Sequence, residues 1–291
     1  MTVGRIGNIL STNVLREHIK TISVVKTGGI RVIETTWSPD TQIDVYKHHF
    51  LPSHIPTSQY FDFINCAPRS EYFRRSVPDI NKFTDIAQSL GINNDTHIIT
   101  YDRTNSLSSI RTWWLLRLYG HRKVSVLDGG FKKWLNDGFE VSDESANYKI
   151  GNFEGKLDKT LIRDYEDMCE NVVNKKEQVV DARNSLSFQG EDDMPSEAKK
   201  GHIPGAKNIP YSSLFNSDGT YKSQHELKLL FDGASIDLGQ PVTAMCETGL
   251  TACGLVMAGN MLGKETIPVY AGSMYEWGQR APEDLCVKGN S

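Results

Sequence analysis

No Cys-x-x-Cys pair occurs in this sequence, and no cysteine is spaced with a histidine in the way zinc ligands are. The five cysteines, Cys66, Cys169, Cys246, Cys253 and Cys286, are odd in number, which argues against a disulfide scaffold as well. Long hydrophobic runs are equally missing: none approaches the ~18 residues that a membrane-spanning helix needs. With 38% hydrophobic and 23% charged residues, the composition is that of a soluble globular protein without a membrane partner. A long basic stripe is absent too. The charges are mixed along the chain and sum to −4, so electrostatic capture of nucleic acid is excluded. No apolar signal-peptide core stands at the start, and the thiols are therefore expected to stay reduced, in the cytoplasm or a mitochondrion. The first 26 residues carry Arg5, Arg16, Lys20 and Lys26 against Glu17 alone, a bias shared by transit peptides and ordinary amino-terminal segments.

What the sequence does contain is a repeat. A chain of 291 residues is too long for one ordinary core and suits two domains of ~100–150 residues each. His54-Ile55-Pro56 matches His202-Ile203-Pro204. Ile98-Ile99-Thr100-Tyr101-Asp102 matches Val242-Thr243-Ala244-Met245-Cys246, with Asp102 opposite Cys246. Val126-Leu127-Asp128-Gly129-Gly130 and Trp134 match Val269-Tyr270-Ala271-Gly272-Ser273 and Trp277. All three pairs are about 145 residues apart, which marks one structural unit written twice.

Within each half, β-rich runs alternate with helix-like segments, the pattern of a parallel sheet covered by helices on both faces. Strands are expected at Arg31–Glu34, His97–Tyr101, Val124–Leu127, Val179–Asp181, Val242–Cys246 and Ile267–Tyr270. Helices are expected at Ile80–Leu90, Ser109–Tyr119, His225–Phe231 and Thr251–Leu262, where apolar residues recur at three- and four-residue spacing. The polar stretch from about Asp143, with Gly151 and Gly155, reads as a connection. It divides the chain into a first domain 1–145, a linker 146–162 and a second domain 163–291.

Cys246-Glu247-Thr248-Gly249-Leu250-Thr251 lies between the expected strand and the helix that follows. A thiol there faces backbone N–H groups and the positive end of that helix, and both favour thiolate over thiol and welcome an anion. Gly249 lets the loop take a positive φ, so that consecutive N–H groups converge. Thr248 and Thr251 add hydroxyls that can donate to a thiolate or to the outer sulfur of a persulfide. The other four cysteines have no surrounding motif and read as small apolar side chains. His202 reads as a turn-shaping residue rather than a base, and Trp113, Trp114, Trp134 and Trp277 as core.

The loop Cys246-Glu247-Thr248-Gly249-Leu250-Thr251-Ala252 resembles the active loop of rhodaneses, and most closely the Cys-Gly-Ser-Gly-Val-Thr-Ala form of 3-mercaptopyruvate sulfurtransferases. Gly201-His202-Ile203-Pro204-Gly205-Ala206 through Pro210 is similar to the first signature of that family, and Gly272-Ser273-Met274-Tyr275-Glu276-Trp277 to its carboxy-terminal one. Tyr101-Asp102 and the run to Trp134 resemble the non-catalytic repeat, where aspartate replaces the cysteine. The resemblance covers nearly the whole chain. It implies an α/β fold of tandem rhodanese domains, each a mainly parallel five-stranded sheet, the first non-catalytic and the second catalytic. It also implies a sulfurtransferase that needs no cofactor and no metal. Cys246 would take sulfur from 3-mercaptopyruvate or thiosulfate as a persulfide and pass it to cyanide or to a thiol such as thioredoxin or glutathione. Thr248 matches a serine that assists proton movement, and Asp62 an acid/base partner reaching across from the first domain. Glu247, Gly249, Leu250, Thr251, Arg183 and Ser187 fall at substrate- or anion-binding positions.

The sequence also departs from the pattern. Two arginines that grip the substrate carboxylate in mercaptopyruvate enzymes have no counterpart: Ser187 stands before Phe188 at one position, and the other falls near Pro195-Ser196. Arg183 matches a structural arginine, and Lys199 and Lys200 are the replacements on offer. Thiosulfate enzymes carry basic residues beside the cysteine, where this loop has Glu247 and Thr248. A carboxylate there opposes a dianion by about 1–4 kcal/mol. A cysteine phosphatase would need an arginine closing the loop, which Ala252 does not supply. A rhodanese-like binding module without strong catalysis is the remaining alternative.

Overall fold

The computed structural model describes residues 7–25, 29–40, 42–67, 70–71, 77–192 and 198–289. It divides into two compact units, one built mainly from the residues up to Leu157 and the other mainly from those after Asp158. In the first unit, strands β1 (Ile9–Leu10), β2 (Ile30–Glu34), β3 (Ser58–Tyr60), β4 (His97–Tyr101) and β5 (Val124–Leu127) form one sheet in the order β1-β5-β4-β2-β3. In the second, β6 (Ile162–Arg163), β7 (Gln178–Asp181), β8 (Lys207–Asn208), β9 (Val242–Met245) and β10 (Val269–Tyr270) follow the order β6-β10-β9-β7-β8. Counted from its own first strand, each sheet has the same sequence of neighbours, and every strand pairing in both is parallel. The repeat is thus a repeat of topology.

Alternate residues of a strand point to opposite faces, and in these central strands both sets are buried. Val32 and Ile99 join a core with Leu15, Phe131 and Trp134, beneath helices α1 (Thr12–Val25) and α5 (Gly130–Asn136). Their neighbours Ile33 and Ile98 face Phe83, Ala87 and Leu116, from α3 (Ile80–Ser89) and α4 (Leu107–Leu118); α2 (Phe63–Cys66) is a single turn between β3 and α3. The second unit does the same. Val179 and Met245 pack with Met168, Tyr270 and Trp277, under α6 (Tyr165–Asn174) and α10 (Ser273–Arg280). After α7 (Ser185–Gln189) and α8 (Gln224–Gly233), α9 (Ala252–Met261) packs on β9 and β10. Burial of both faces is why the strands read as continuous apolar runs. All four tryptophans assigned to the core are at most 2% exposed.

The expected elements appear with ends moved by one or two residues. Cys246 lies just past β9 instead of ending it, and α9 begins at Ala252 instead of Thr251. The polar stretch after Asp143 is not a free tether over its length. Gly151 N–H donates to Gln88 O at 2.8 Å, Phe153 N–H to Ile92 O at 3.1 Å and Lys156 N–H to Tyr119 O at 3.0 Å. Phe153 is 1% exposed, so this segment is pinned to the first unit. No described helix is long and apolar enough to cross a membrane.

Candidate active site

Ligands of parallel sheets gather beyond the carboxyl ends of the strands, and β9, central between β10 and β7, delivers Cys246 to that edge. The residue is held by its backbone. Its N–H donates to Ser273 Oγ at 3.1 Å, while its carbonyl accepts from Met274 N–H at 3.0 Å and that of Glu247 from Tyr275 N–H at 2.9 Å. The loop then turns through Gly249, whose φ of +76° only glycine adopts without strain. Helical hydrogen bonding sets in at Cys253, whose N–H donates to Leu250 O at 3.1 Å. The N–H groups of Leu250, Thr251 and Ala252 therefore precede the first helical bond, at the positive end of α9. Thr251 occupies the cap position without making a side-chain capping bond.

The sister loop of the first unit displays what this shape does with an anion. Asp102, at the position of Cys246 and 1% exposed, accepts at Oδ1 from Thr104 N–H (2.8 Å) and Ser106 N–H (3.0 Å). Its Oδ2 accepts from Ser108 Oγ (3.2 Å) and Ser109 N–H (2.8 Å). Three amides and a hydroxyl, from the loop and the first turn of α4, thus converge on one buried carboxylate. Asp102→Ala is expected to cost the first unit about 3 kcal/mol, because buried donors lose a charged acceptor. Urea denaturation measures it, and a loss below ~1 kcal/mol would mean that the loop closes without its anion.

Outside the cysteine loop is a cavity of about 480 Å³, lined among others by Arg183, Ser187, Lys199, Lys200, Glu247 and Thr251. That volume suits a small-molecule ligand. Cys246 itself is 1% exposed, while its loop neighbours Glu247 and Thr251 line this cavity. The outer sulfur of a persulfide would stand ~2 Å beyond Sγ.

The charges around the cavity are largely committed. Arg183 donates from Nε and Nη2 to Asp181 Oδ2 at 2.9 and 2.7 Å, from Nη2 to Gly201 O at 2.7 Å and from Nη1 to Ser187 O at 3.1 Å. Its Nη1 also lies 3.8 Å from Glu247 Oε2. Burial opposes the Arg183 charge, but Asp181 above all, then Glu247 and Cys246, outweigh it and raise its pKa. Lys199 Nζ is directed to the carbonyls of Gly278 (3.2 Å) and Ala281 (3.0 Å) at the end of α10. Lys200 pairs with Asp192 Oδ1 at 3.1 Å. Asp192 is held below the ordinary carboxylate range by a Ser187 hydrogen bond and by Lys200. Both lysines line the cavity as well, so the charge they bring is shared with the helix end for Lys199 and with Asp192 for Lys200.

Of the residues singled out from sequence, Cys246, Glu247, Thr248, Gly249, Leu250 and Thr251 form one loop, and Arg183 and Ser187 face the same cavity. Asp62 belongs to the first unit. It caps α2, with Oδ1 accepting from Asn65 N–H at 3.0 Å and Oδ2 from Asn65 Nδ2 at 2.6 Å. Pro195 and Ser196 lie outside the described residues. His202 is fully buried, donates from Nδ1 to Phe188 O at 2.9 Å and stacks on the Phe188 ring at 3.9 Å. Burial lowers its pKa, so it is a neutral structural side chain. His54 repeats the arrangement against Phe50. Asp192 and Ser273 were not anticipated. Asp192 carries no local signal, whereas Ser273 differs from its repeat partner Gly130.

The rhodanese-like domain family matches this chain twice, over residues 33–137 and 164–280. The chain is 39% identical over 262 residues to the thiosulfate sulfurtransferase of Gallus gallus, covering 89% of this chain and 90% of that protein. It is 36% identical over 265 residues to the 3-mercaptopyruvate sulfurtransferase of Mus musculus, covering 89% of each. Among solved structures it is similar to SseA from Escherichia coli, described as a 3-mercaptopyruvate sulfotransferase, with a TM-score of 0.81 and 28% identity over 92% of this chain and 99% of that one.

Proposed function

The chain belongs to the rhodanese family of sulfurtransferases, and on that premise we propose that Cys246 carries the transferred sulfur as a persulfide. What supports this reading is the paired loops. A cysteine occupies the position at which the sister loop gathers four donors around a carboxylate. Ala252 stands where Ser108 gives its hydroxyl and Cys253 N–H is taken by Leu250 O, so a sulfur anion there draws on the amides of the loop and the positive end of α9.

With thiosulfate as donor, the Cys246 thiolate attacks the outer sulfur, the donor S–S bond breaks, and its electron pair leaves on sulfite. With 3-mercaptopyruvate the C–S bond breaks, and the thiol proton ends on the carbon that leaves as pyruvate. A second thiolate, such as that of thioredoxin or glutathione, or cyanide, then attacks the outer sulfur and returns Cys246 as thiolate. Thr248 and Thr251 supply hydroxyls to the sulfur, and Gly249 and Leu250 the turn of backbone that faces it. The binding-module alternative is not favoured, since curated relatives covering most of the chain are named as enzymes.

Steady-state kinetics with a panel of donors and acceptors tests the proposal: double-displacement patterns support it, and a requirement for both substrates bound together refutes it. The cavity also sets an order among donors. Glu247, with its side chain 46% exposed, opposes a dianion more than a monoanion. Glu247→Gln is therefore expected to raise kcat/KM roughly tenfold for thiosulfate and less for 3-mercaptopyruvate. An equal change for both donors would show that the carboxylate does not act through charge.

A further inference from the structure

We infer that Ser273 is a positioning residue for sulfur loading, holding Cys246 in place through the hydroxyl that accepts its N–H. This rests on the persulfide reading above and adds a residue to it. Ser273 opens α10 with φ +52°, in the left-handed region that favours glycine. It is fully buried, so the strain relieves nothing at a surface. Glycine would remove the strain, and at the matching position of the first unit the residue is indeed Gly130, with φ +56°. There a Cβ would lie 2.5 Å from Asp102 O, and no side chain fits.

The rest of the turn is the same in both units: Phe131 N–H donates to Asp102 O at 2.9 Å, as Met274 N–H does to Cys246 O at 3.0 Å. What the serine adds is a hydroxyl of fixed polarity. Its proton goes to Tyr270 O at 2.9 Å, which leaves the oxygen lone pair for Cys246 N–H at 3.1 Å. The two units differ in what fixes the residue at the end of the central strand. Asp102 is fixed by four hydrogen bonds to its own carboxylate. Cys246 must leave its sulfur available for loading, so beyond the carbonyl bond that both units share its amide is held as well, by Ser273. A strained side chain persists where the surroundings over-determine it and its geometry serves the site.

The test is Ser273→Gly in the full-length chain, with Ser273→Ala as a second variant that keeps the Cβ but removes the acceptor. Single-turnover loading is followed by rapid quench and mass measurement of Cys246, using thiosulfate and 3-mercaptopyruvate as probes. At saturating donor the loading rate is expected to fall by ~10–100-fold in both variants, as for a misplaced reacting group. Half-saturating donor concentration should stay within about twofold, and thermal stability of the glycine variant should hold, since lost strain offsets the lost bond. Loading at the wild-type rate in both variants overturns the assignment while leaving the sulfurtransferase reading intact. Loss that tracks unfolding instead of loading rate overturns it too. A wild-type chain that takes up no sulfur from either probe contradicts the sulfurtransferase reading, and this one with it.

Discussion

Cys246→Ser is expected to lower sulfur transfer by at least ~10³-fold, because the hydroxyl cannot be loaded with sulfur. Stability should hold to within ~1 kcal/mol, since serine is nearly isosteric and the backbone bonds to Ser273 and Met274 do not depend on the side chain. The comparison with the other cysteines makes the effect specific. Burial pushes the Cys66 thiol up to about 12, and it raises Cys286 as well, so both stay protonated and unreactive at neutral pH. Replacing either by serine should leave turnover within about threefold of wild type. Donor turnover assays decide it: a Cys246→Ser chain that keeps a tenth or more of the activity would place the sulfur elsewhere.

The second large effect concerns stability. Arg183 is the buried partner of Asp181, a side chain with no exposure, and it also ties the turn after β7 to Ser187 O and Gly201 O. Arg183→Met leaves that carboxylate buried without its cation, which costs about 3–5 kcal/mol. The double variant Arg183→Met with Asp181→Asn should recover a good part of the loss, because the unpaired charge is the larger penalty. Urea unfolding of the three chains tests this. A loss below ~1 kcal/mol in Arg183→Met would show that water reaches Asp181, and that Arg183 faces the cavity as a ligand group instead of a structural one.

Much of this was legible in the sequence because repetition carries register. The matched motifs fixed which residues stand opposite each other, so Asp102 against Cys246 could be read before any sheet was drawn. Central strands such as His97–Tyr101 were visible as apolar runs between helical patterns. The edge strands β1, β6 and β8 were not, being two residues long, too short for any period to show. Their existence follows from pairing with β5, β10 and β7. Helix α4 was expected from its apolar spacing, yet Ser108, Ser109, Arg111 and Thr112 are buried along with the apolar residues. Nothing in a linear pattern foretells a guanidinium lying 4.4 Å over the Trp114 ring in a core.

At the site, the sequence located the cysteine loop between β9 and α9 but gave no sign of how the surrounding charges are paired. Lys199 and Lys200 looked like anion ligands because charge is a property of the residue. Their role is a property of the neighbours: the carbonyl end of α10 for one and Asp192 for the other. Ser273 was quoted within a motif and passed over, because backbone strain at a non-glycine residue becomes visible only with φ in hand.

The most direct test is to incubate the chain with thiosulfate or 3-mercaptopyruvate, digest it under non-reducing conditions and weigh the cysteine peptides. One extra sulfur atom on the peptide that contains Cys246, removed again by reduced thioredoxin, glutathione or cyanide, is the result expected. Sulfur on a different cysteine, or none on any peptide from either donor, would contradict it.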